Sequence, residues 1–503
     1  MRAAIAIGEL VRSSLGLHGM KKLIVDKKGD VKVTADGFTV IKSIQVGNPI
    51  SKIMVEAAET HDNEVGDGTK SMLIIAGELL KNAEKLLDMG LSPDLIISGY
   101  RRACDKAIQI MTKTSIPIRR QDTDILRDLA MTSIYSKDLG LAGQHIADIS
   151  IKAVENIFEA GPKSNQTTDM ENVLENVQFI RKSGRSIIET RLIRGTILEK
   201  SVLNGNMPKK VENAKILLLE SPLEFEKKEF YAEIETTPGL VKAFADEENR
   251  LRDMRVGKIA KSGANVIICQ KGIDLKTQDS LAKHGILGVH WVDKQDMEKA
   301  AKATGGKIVI NIHSLTSKDL GFSGIVEERT IDGDKMIFIE DCKDPKSISI
   351  LIRAGLDKAA DEVERALKDA LRVVASIYLD NRAVGGGGAF EMELARRLRP
   401  YAMKFDSKEQ LAIEAFAEAL EIIPKLLAEN VGLDQTEIKL MLRSEHARDS
   451  GLWMGINMLS RKVEDALNCG LIEPYIIKKR VLENATEVAS MIIRTGHIIS
   501  SPK

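Results

Sequence analysis

Apolar residues recur every three or four positions along much of the chain, which is the spacing of one face of an α-helix. In the first part of the chain this pattern predicts helices over residues 3–15, 70–87, 92–113 and 121–159. Two short apolar runs, at residues 23–26 and 31–34, predict a hairpin. The first 160 residues are therefore expected to be mostly α-helical.

The pattern changes near residue 165, where the apolar runs become shorter. These runs predict strands at residues 177–180, 187–188 and 214–219. Strands and helices then alternate, with strands at 266–269, 287–289 and 308–310 and helices at 280–284 and 297–303. Such alternation predicts parallel strands joined by right-handed crossovers. No Gly-x-Gly-x-x-Gly follows these strands, so we expect a binding platform rather than a dinucleotide fold.

Long helical patterns return beyond residue 345. They predict helices over residues 363–374, 411–430, 435–447 and 475–494. The coarse order is thus helix, α/β, helix, and the similar style of the two ends allows one domain built from both termini. We expect a multidomain protein with mainly α and α/β parts.

A charged helix is predicted from about residue 236 to residue 259, with Leu240, Val241 and Phe244 near its start. If the helix is exposed, this apolar tip can contact partners or substrates. An ordinary amphipathic helix packed on its own domain would have the same pattern.

The 503 residues contain 73 basic and 73 acidic side chains, so the formal net charge is zero. No general attraction to nucleic acid or to an anionic membrane follows from this charge. The four cysteines are scattered without a Cys-x-x-Cys pair, as in reduced cytosolic proteins. Neither a signal sequence nor a run of about 18 apolar residues is found. We expect a cytoplasmic protein with no membrane span.

The stretch from Asn63 to Ser71 contains the strongest local signal for ligand binding. Gly66 and Gly68 allow a positive φ and a close approach of the backbone to a ligand, and a helix start follows. Asp67 would repel a phosphate unless a divalent cation lay between them, as Mg²⁺ commonly does. A glycine turn in which Asp67 or Thr69 caps the helix remains the alternative. The spacing is not that of a Walker loop.

Three further features of the sequence bear on ligand binding. Asp36 either caps the next helix or serves a ligand. Asp369 lies away from the apolar face of its predicted helix and, taken alone, is expected to be a solvated surface acid. The glycines at 385–388 precede a helix start, where the backbone can approach a phosphate or a base.

Five motifs in this order resemble group II chaperonins, the family of archaeal thermosome and eukaryotic cytosolic chaperonin subunits. They are Gly-Asp-Gly-Thr at 66–69, residues 263–267 with 270–274, residues 297–300, Gly-Gly-Gly-Ala at 386–389, and residues 470–474. The resemblance covers nearly the whole chain. Residues 411–417 and 422–424 make it most similar to an archaeal thermosome subunit.

The resemblance implies an ATP-dependent chaperone subunit of a homo- or hetero-oligomeric double ring that encloses and refolds non-native polypeptides, with ATP and Mg²⁺ bound. It implies an equatorial ATPase domain (1–119 and 380–503), an intermediate hinge domain (120–188 and 345–379), and an apical domain (189–344) whose helical protrusion, about residues 236–258, serves as a lid. Leu240, Val241 and Phe244 would contact clients or the lid.

The resemblance also implies roles for individual residues. Asp67 matches the Mg²⁺ ligand, and Asp36 and Asp369 match the acids that position and activate the attacking water. The implied nucleotide contacts are Leu15, Gly16, Gly37, Gly66, Asp67, Gly68, Thr69, Lys70, Ser71, Gly387, Asn457 and Glu473. Glu473 would lie near the ribose, and Lys182 would belong to a loop that senses the γ-phosphate.

Several positions depart from the family pattern. Leu17 and His18 replace a proline and a lysine in the phosphate turn, Lys70 replaces a second threonine, and Arg185 replaces a glycine. The termini are expected to lack the family's N-terminal arm and its Gly/Met-rich tail. These departures allow weakened ATP turnover. They also leave open an alternative, a specialised structural or regulatory subunit that tunes the assembly or client choice of a hetero-oligomer.

Overall fold

The computed structural model describes residues 1–25, 31–34, 37–43, 48–137, 139–160, 170–224, 238–343, 345–448 and 450–496. Contacts group the chain into two compact units. The terminal unit contains Met1–Ile151 and Arg365–Lys503, and the central unit contains Asn172–Glu364. The residues from 152 to 171 are divided between the two. Segments from both ends of the chain therefore share one unit.

The first third of the chain is mostly helical. Its elements are α1 (Arg2–Arg12), β1 (Lys22–Val25), β2 (Val31–Thr34), α2 (Gly37–Ser43), α3 (Pro49–Val65), α4 (Thr69–Asp88), α5 (Pro93–Thr114), β3 (Ile116–Pro117), α6 (Thr123–Ile134) and α7 (Ala142–Ala160). Strands β1 and β2 pair antiparallel, which confirms the predicted hairpin. The predicted helices are confirmed as well, with a break between α6 and α7.

The middle of the chain contains most of the strands. Its elements are α8 (Met170–Glu175), β4 (Val177–Ser183), β5 (Arg191–Ile193), β6 (Thr196–Leu198), β7 (Lys210–Leu219), α9 (Pro238–Ser262), β8 (Val266–Cys269), α10 (Leu275–Lys283), β9 (Leu287–Val289), α11 (Lys294–Thr304), β10 (Ile308–Val309), β11 (Gly321–Ile331), β12 (Asp334–Glu340) and β13 (Ile348–Ala354). The helix predicted at about 236–259 is thus α9.

The last part returns to helices. Its elements are α12 (Asp357–Leu379), β14 (Arg382–Gly385), α13 (Ala389–Ala402), α14 (Glu409–Leu420), α15 (Ile422–Asn430), α16 (Gln435–His446), β15 (Met454–Asn457), β16 (Lys462–Asp465), β17 (Ile472–Pro474) and α17 (Tyr475–Arg494). The helix predicted over 411–430 is divided into α14 and α15 at Glu421. No helix in the described parts of the chain has both the length and the apolar character needed to cross a lipid bilayer.

The main sheet of the central unit has the strand order β6-β12-β11-β7-β8-β9, with β10 also paired to β7. Strands β7, β8, β9 and β10 run parallel, which confirms the predicted alternation of strand and helix. A second sheet has the order β4-β13-β5. The strand predicted at 187–188 is wrong, because Ile187–Glu189 forms a 3₁₀ turn. The Ser186 hydroxyl accepts a bond from the N–H of Ile188 and so favours this turn.

The core of the terminal unit packs α1, α4, α5, α13, α14 and α17 together. On α4, Leu73 and Leu79 are fully buried, as the helical spacing predicts. Tyr100 on α5 packs edge to face on Phe416 of α14, with ring centroids 6.0 Å apart. Its hydroxyl donates to the carbonyl of Leu79 at 2.8 Å. This bundle fixes the helix ends that surround the candidate site.

All four cysteines are free, and three of them are buried. Burial raises the pKa of Cys104 to about 11 and the pKa values of Cys269 and Cys342 to about 12. These thiols stay protonated at neutral pH and behave as small apolar side chains, as expected from the sequence.

Candidate functional site

A cleft in the terminal unit is formed where the ends of several helices meet. Its wall comes from the turn after α1, the loop between α3 and α4, the end of α6, the middle of α12, the glycines before α13 and the start of α17. All of its lining residues belong to the terminal unit. The sequence-predicted residues that line it are Leu15, Gly16, Gly37, Gly66, Asp67, Gly68, Thr69, Lys70, Ser71, Asp369, Gly387 and Glu473.

The loop between α3 and α4 has the backbone conformation predicted for it. Gly66 and Gly68 have φ values of 69° and 83°, which L-residues with a side chain rarely adopt. A Cβ at Gly66 would also lie 1.9 Å from Cδ of Arg372. Gly68 is the N-cap of α4 and, among the described residues, no side chain caps this helix, so the alternative in which Asp67 or Thr69 is the cap is wrong. Instead, Oδ1 of Asp67 accepts from the N–H of Gly68 at 2.7 Å.

A buried histidine holds this loop in place. Nε2 of His61 lies 3.0 Å from the carbonyl oxygen of Asp67, and Nδ1 lies 3.0 Å from Nδ2 of Asn484 on α17. A carbonyl only accepts and an amide NH₂ only donates, so Nε2 donates and Nδ1 accepts. Burial lowers the pKa of His61, in agreement with a neutral ring. The histidine therefore ties the glycine loop to the last helix.

Asp369 is not the solvated surface acid that its helix pattern alone predicted. Its side chain is only 22% exposed, and Oδ2 lies 3.0 Å from Nζ of Lys137, which is 7% exposed. Both residues line the cleft. The apolar face of α12 is buried, as the helix pattern predicts. Asp369 lies beside that face, on a side of the helix that lines the cleft. Lys137 was missed because one lysine after a helix gives no periodic signal.

A second ion cluster lies beside the glycines that precede α13. Nζ of Lys478 is 2.7 Å from Oε1 of Glu391 and 2.9 Å from Oε2 of Glu473. Burial alone would lower the pKa of Lys478, but the two carboxylates outweigh it and the pKa rises. Burial raises the pKa of Glu473. Sequence reasoning missed Lys478, although a lysine one turn before the buried positions Val481 and Leu482 is a recognisable signal of a buried ion pair.

The turn after α1 contributes the other side of the cleft. Gly16 has a φ of 81°, which places Leu15 and Gly16 at the cleft wall. The backbone N–H of Leu17 donates to Sδ of Met458 at 3.4 Å, a contact that a proline at this position could not make. Nζ of Lys70 donates to the carbonyl of Ser14 at 2.9 Å. Lys70 thus links the start of α4 to this turn.

The donor set of the cleft suits a polyphosphate with one divalent cation. A helix start and two glycine turns favour an anion, whereas Lys137 and Lys478 are already paired with carboxylates. Asp67 offers one carboxylate of the kind that binds Mg²⁺ together with phosphate oxygens. Among the described residues, no group of three or more His, Cys, Asp or Glu side chains could hold a metal by itself. A cation bound to Asp67 would take its other ligands from phosphate oxygens and water.

Several predicted residues do not line the cleft. Asn457 lines a smaller pocket that shares Gly16 with the cleft, and its Nδ2 donates to Glu464 at 2.8 Å. Lys182 belongs to the central unit, where Nζ lies 2.8 Å from Asp334 and 3.2 Å from Glu199. Arg185 is exposed and pairs with Glu189 at 3.0 Å. The role suggested for Lys182 stays a prediction.

Two groups of predicted residues fall outside what the structure describes. Asp36 lies outside the described residues. The backbone of α9 begins at Pro238, but the side chains of Leu240, Val241 and Phe244 are also outside the described part. Their suggested roles in catalysis and client contact remain predictions from the sequence.

Comparison with known sequences gives matches over the whole chain. The TCP-1/cpn60 chaperonin family matches residues 7–503. The chain is 45% identical over 502 residues to thermosome subunit beta of Sulfolobus acidocaldarius, which covers 100% of this chain and 90% of that relative. It is 44% identical to thermosome subunit beta of Desulfurococcus mucosus over 98% of this chain and 97% of the relative. A thermosome subunit of Methanocaldococcus jannaschii is 44% identical over 498 residues, which is 99% of this chain and 91% of the relative.

Proposed function

Since this chain belongs to the TCP-1/cpn60 chaperonin family, we propose that it is an ATP-hydrolysing subunit of a thermosome-like double ring that encloses and refolds non-native proteins. The observation that carries the proposal is the cleft of the terminal unit, which gathers Gly66–Ser71, Asp369, Gly387 and Glu473 from distant parts of the sequence. The identity to thermosome subunits over the full length does not favour the alternative of a purely structural or regulatory subunit.

The proposal extends to the domains and partners that the family resemblance implies. Residues 1–119 and 380–503 would form the equatorial ATPase domain, residues 120–188 and 345–379 the hinge, and residues 189–344 the apical domain. Helix α9 would supply the lid. The partners would be other chaperonin subunits and non-native polypeptides, in the cytoplasm.

Different residues of the cleft would bind the phosphates, the Mg²⁺ ion and the ribose of ATP. Leu15 and Gly16 would lie along the phosphates on one side, with the start of α4 on the other. Asp67 would hold Mg²⁺, which neutralises phosphate charge when it is bound. Glu473, oriented by Lys478, would accept hydrogen bonds from the ribose hydroxyls.

Hydrolysis would depend mainly on Asp369. A carboxylate on the phosphate side of the cleft can accept a proton from water and align it for attack on the γ-phosphate. The ion pair with Lys137 fixes the orientation of this carboxylate. Phosphoryl transfer needs such alignment and charge neutralisation more than covalent help. We propose that Asp36 supports the same water, and that turnover is slowed by the departures at Leu17, Lys70 and Arg185.

The decisive test is Mg²⁺-dependent ATP hydrolysis and client refolding by the assembled protein, with Asp369→Asn as the variant. We expect a loss of about 100-fold or more in kcat and a change in ATP affinity of less than about threefold. Asp361→Asn is the matched control, because Asp361 lies on the same helix and pairs with exposed Arg181. Equal turnover by Asp369→Asn and wild type would refute the assigned role, and a wild-type protein that binds no ATP would refute the proposed function.

A further inference from the structure

The turn that follows α1 is stabilised by hydrogen bonds to the carbonyl groups of its first residues. The N–H of Met20 donates to the carbonyl of Ser13 at 2.6 Å, and the N–H of Gly19 donates to that of Gly16 at 3.2 Å. Nδ2 of Asn430 donates to the carbonyl of Leu15 at 2.8 Å and also to that of Arg12. The carbonyl of Ser14 receives its bond from a charged side chain, that of Lys70.

The side chain of Lys70 reaches the carbonyl of Ser14 by passing Gly37, which has no side chain to obstruct it. Lys70 is the second residue of α4, directly after the glycine loop. Its side chain passes over the backbone of Gly37 at the start of α2, where a Cβ would lie 2.4 Å from Cγ of Lys70. Gly37 therefore provides the space that the lysine needs. One side chain thus contacts the starts of two helices and the turn after a third.

The charge of Lys70 suits this position for two reasons. A carbonyl oxygen carries partial negative charge, which is unfavourable beside a phosphate. An ammonium group bound to the carbonyl of Ser14 offsets that charge next to Leu15 and Gly16, which line the cleft. Bonds from charged donors are also stronger than bonds between neutral groups. Lys70 therefore fixes the turn and improves its electrostatic environment at the same time.

We propose that Lys70 is a positioning residue for nucleotide binding, which holds the turn of residues 14–20 in the shape that receives the phosphates before the nucleotide arrives. The inference rests on the proposed function and deepens it. It gives Lys70 a role in affinity through the turn rather than a role in the chemical step. The sequence Leu15-Gly16-Leu17 has no proline to stiffen this turn, and Lys70 takes over that task from outside it.

The first test needs no nucleotide. Hydrogen exchange is measured on the assembled wild-type protein and on Lys70→Met, Lys70→Thr and Lys85→Met. Lys85 is the control because it lies on the same helix and bonds only a neighbouring amide, that of Asn82 at 3.0 Å, among its described contacts. We expect the amides of Gly19 and Met20 to exchange about tenfold faster in both Lys70 variants and at the wild-type rate in Lys85→Met. Unchanged exchange in both Lys70 variants would overturn the proposal.

The second test compares the affinities of the same proteins for ATP and ADP, together with kcat at saturating ATP. Because the turn contacts phosphates common to both nucleotides, we expect Lys70→Met to lose about tenfold affinity for each, which is about 1.4 kcal/mol. The kcat of Lys70→Met should not fall, and it should rise where release of the more weakly bound ADP limits turnover. A loss confined to ATP, or a fall in kcat with unchanged affinities, would overturn the positioning role. If the wild-type protein binds neither nucleotide, the proposed function fails, whereas the exchange experiment still decides the role of Lys70 in the turn.

Discussion

The buried carboxylate of Glu393, in the first turns of α13, provides the sharpest test of the electrostatics of the terminal unit. Its Oε1 accepts from Nη2 of Arg396 at 2.7 Å and from Nε of Arg397, and its Oε2 lies 3.0 Å from Nδ1 of His446. Nε2 of His446 lies 2.8 Å from the carbonyl of Met454. The ring of His446 thus contacts an acceptor at each of its two nitrogens. The helix that follows the glycine run is therefore held by a cluster of charges.

The magnitude follows from the pKa of Glu393. Burial alone would raise this pKa, but the bonds from His446, Arg396 and Arg397 outweigh it and lower the pKa from 4.5 to about 2. A carboxylate that binds its proton more weakly in the folded protein stabilises the fold at every pH above its unfolded value. At 1.36 kcal/mol per tenfold change in proton affinity, its contribution at pH 7 is about 3 kcal/mol. This contribution falls as the pH drops from about 4.5 towards about 2.

The perturbation is Glu393→Gln, and the assay is thermal unfolding of the wild type and the variant at pH 7 and pH 3. We expect the variant to be less stable by about 3 kcal/mol at pH 7 and by about half of that at pH 3. Glu483→Gln is the control, because Glu483 pairs with Arg480 in an exposed position where such pairs contribute less than about 1 kcal/mol. The same difference at both pH values, or no difference at pH 7, would refute the reasoning.

Three other changes test single features of the cleft. Lys137→Met removes the cation beside the proposed catalytic acid, so we expect kcat to fall at least about tenfold in steady-state ATPase assays, with Lys137→Arg closer to wild type. Gly66→Ala forces a Cβ into the Arg372 side chain at a positive φ, so we expect it to weaken ATP binding at least about tenfold in calorimetry. Gly90 also has a positive φ but faces open space. Gly90→Ala should therefore reduce stability by only about 1 kcal/mol and leave ATP binding unchanged. Glu473→Ala removes both acceptor oxygens and should abolish the preference for ATP over 3′-deoxy-ATP in competition binding, and a retained preference would contradict contact with the ribose.

Local patterns in the sequence were enough to predict most of the helices and strands. The helix predicted over 475–494 and the strands predicted at 266–269 and 287–289 have the same bounds in the structure. These elements follow from the spacing of apolar residues within a short window, because each buries one face or two faces of a regular backbone. The failure at 187–188 has an equally local cause, the hydroxyl of Ser186.

The candidate site could be predicted only in part. The positive φ values of Gly66 and Gly68 follow from local sequence, but the resemblance to a family was needed to connect them with Asp369 and Glu473. The lysines that pair with these acids could not be predicted in the same way, because an ion pair between distant segments produces no periodic pattern in the sequence. Lys478 is the exception, since a lysine within an apolar stripe signals a buried acid.

The link from His61 to Asn484 has a consequence for the synthesis of the protein. The loop that carries Asp67 is made early, whereas the amide that fixes its histidine belongs to the last helix. Asn430 likewise supports the turn after α1 across a sequence separation of 415 residues. In a nascent chain, His61 and the glycine loop therefore lack the contact with Asn484 until α17 has been made.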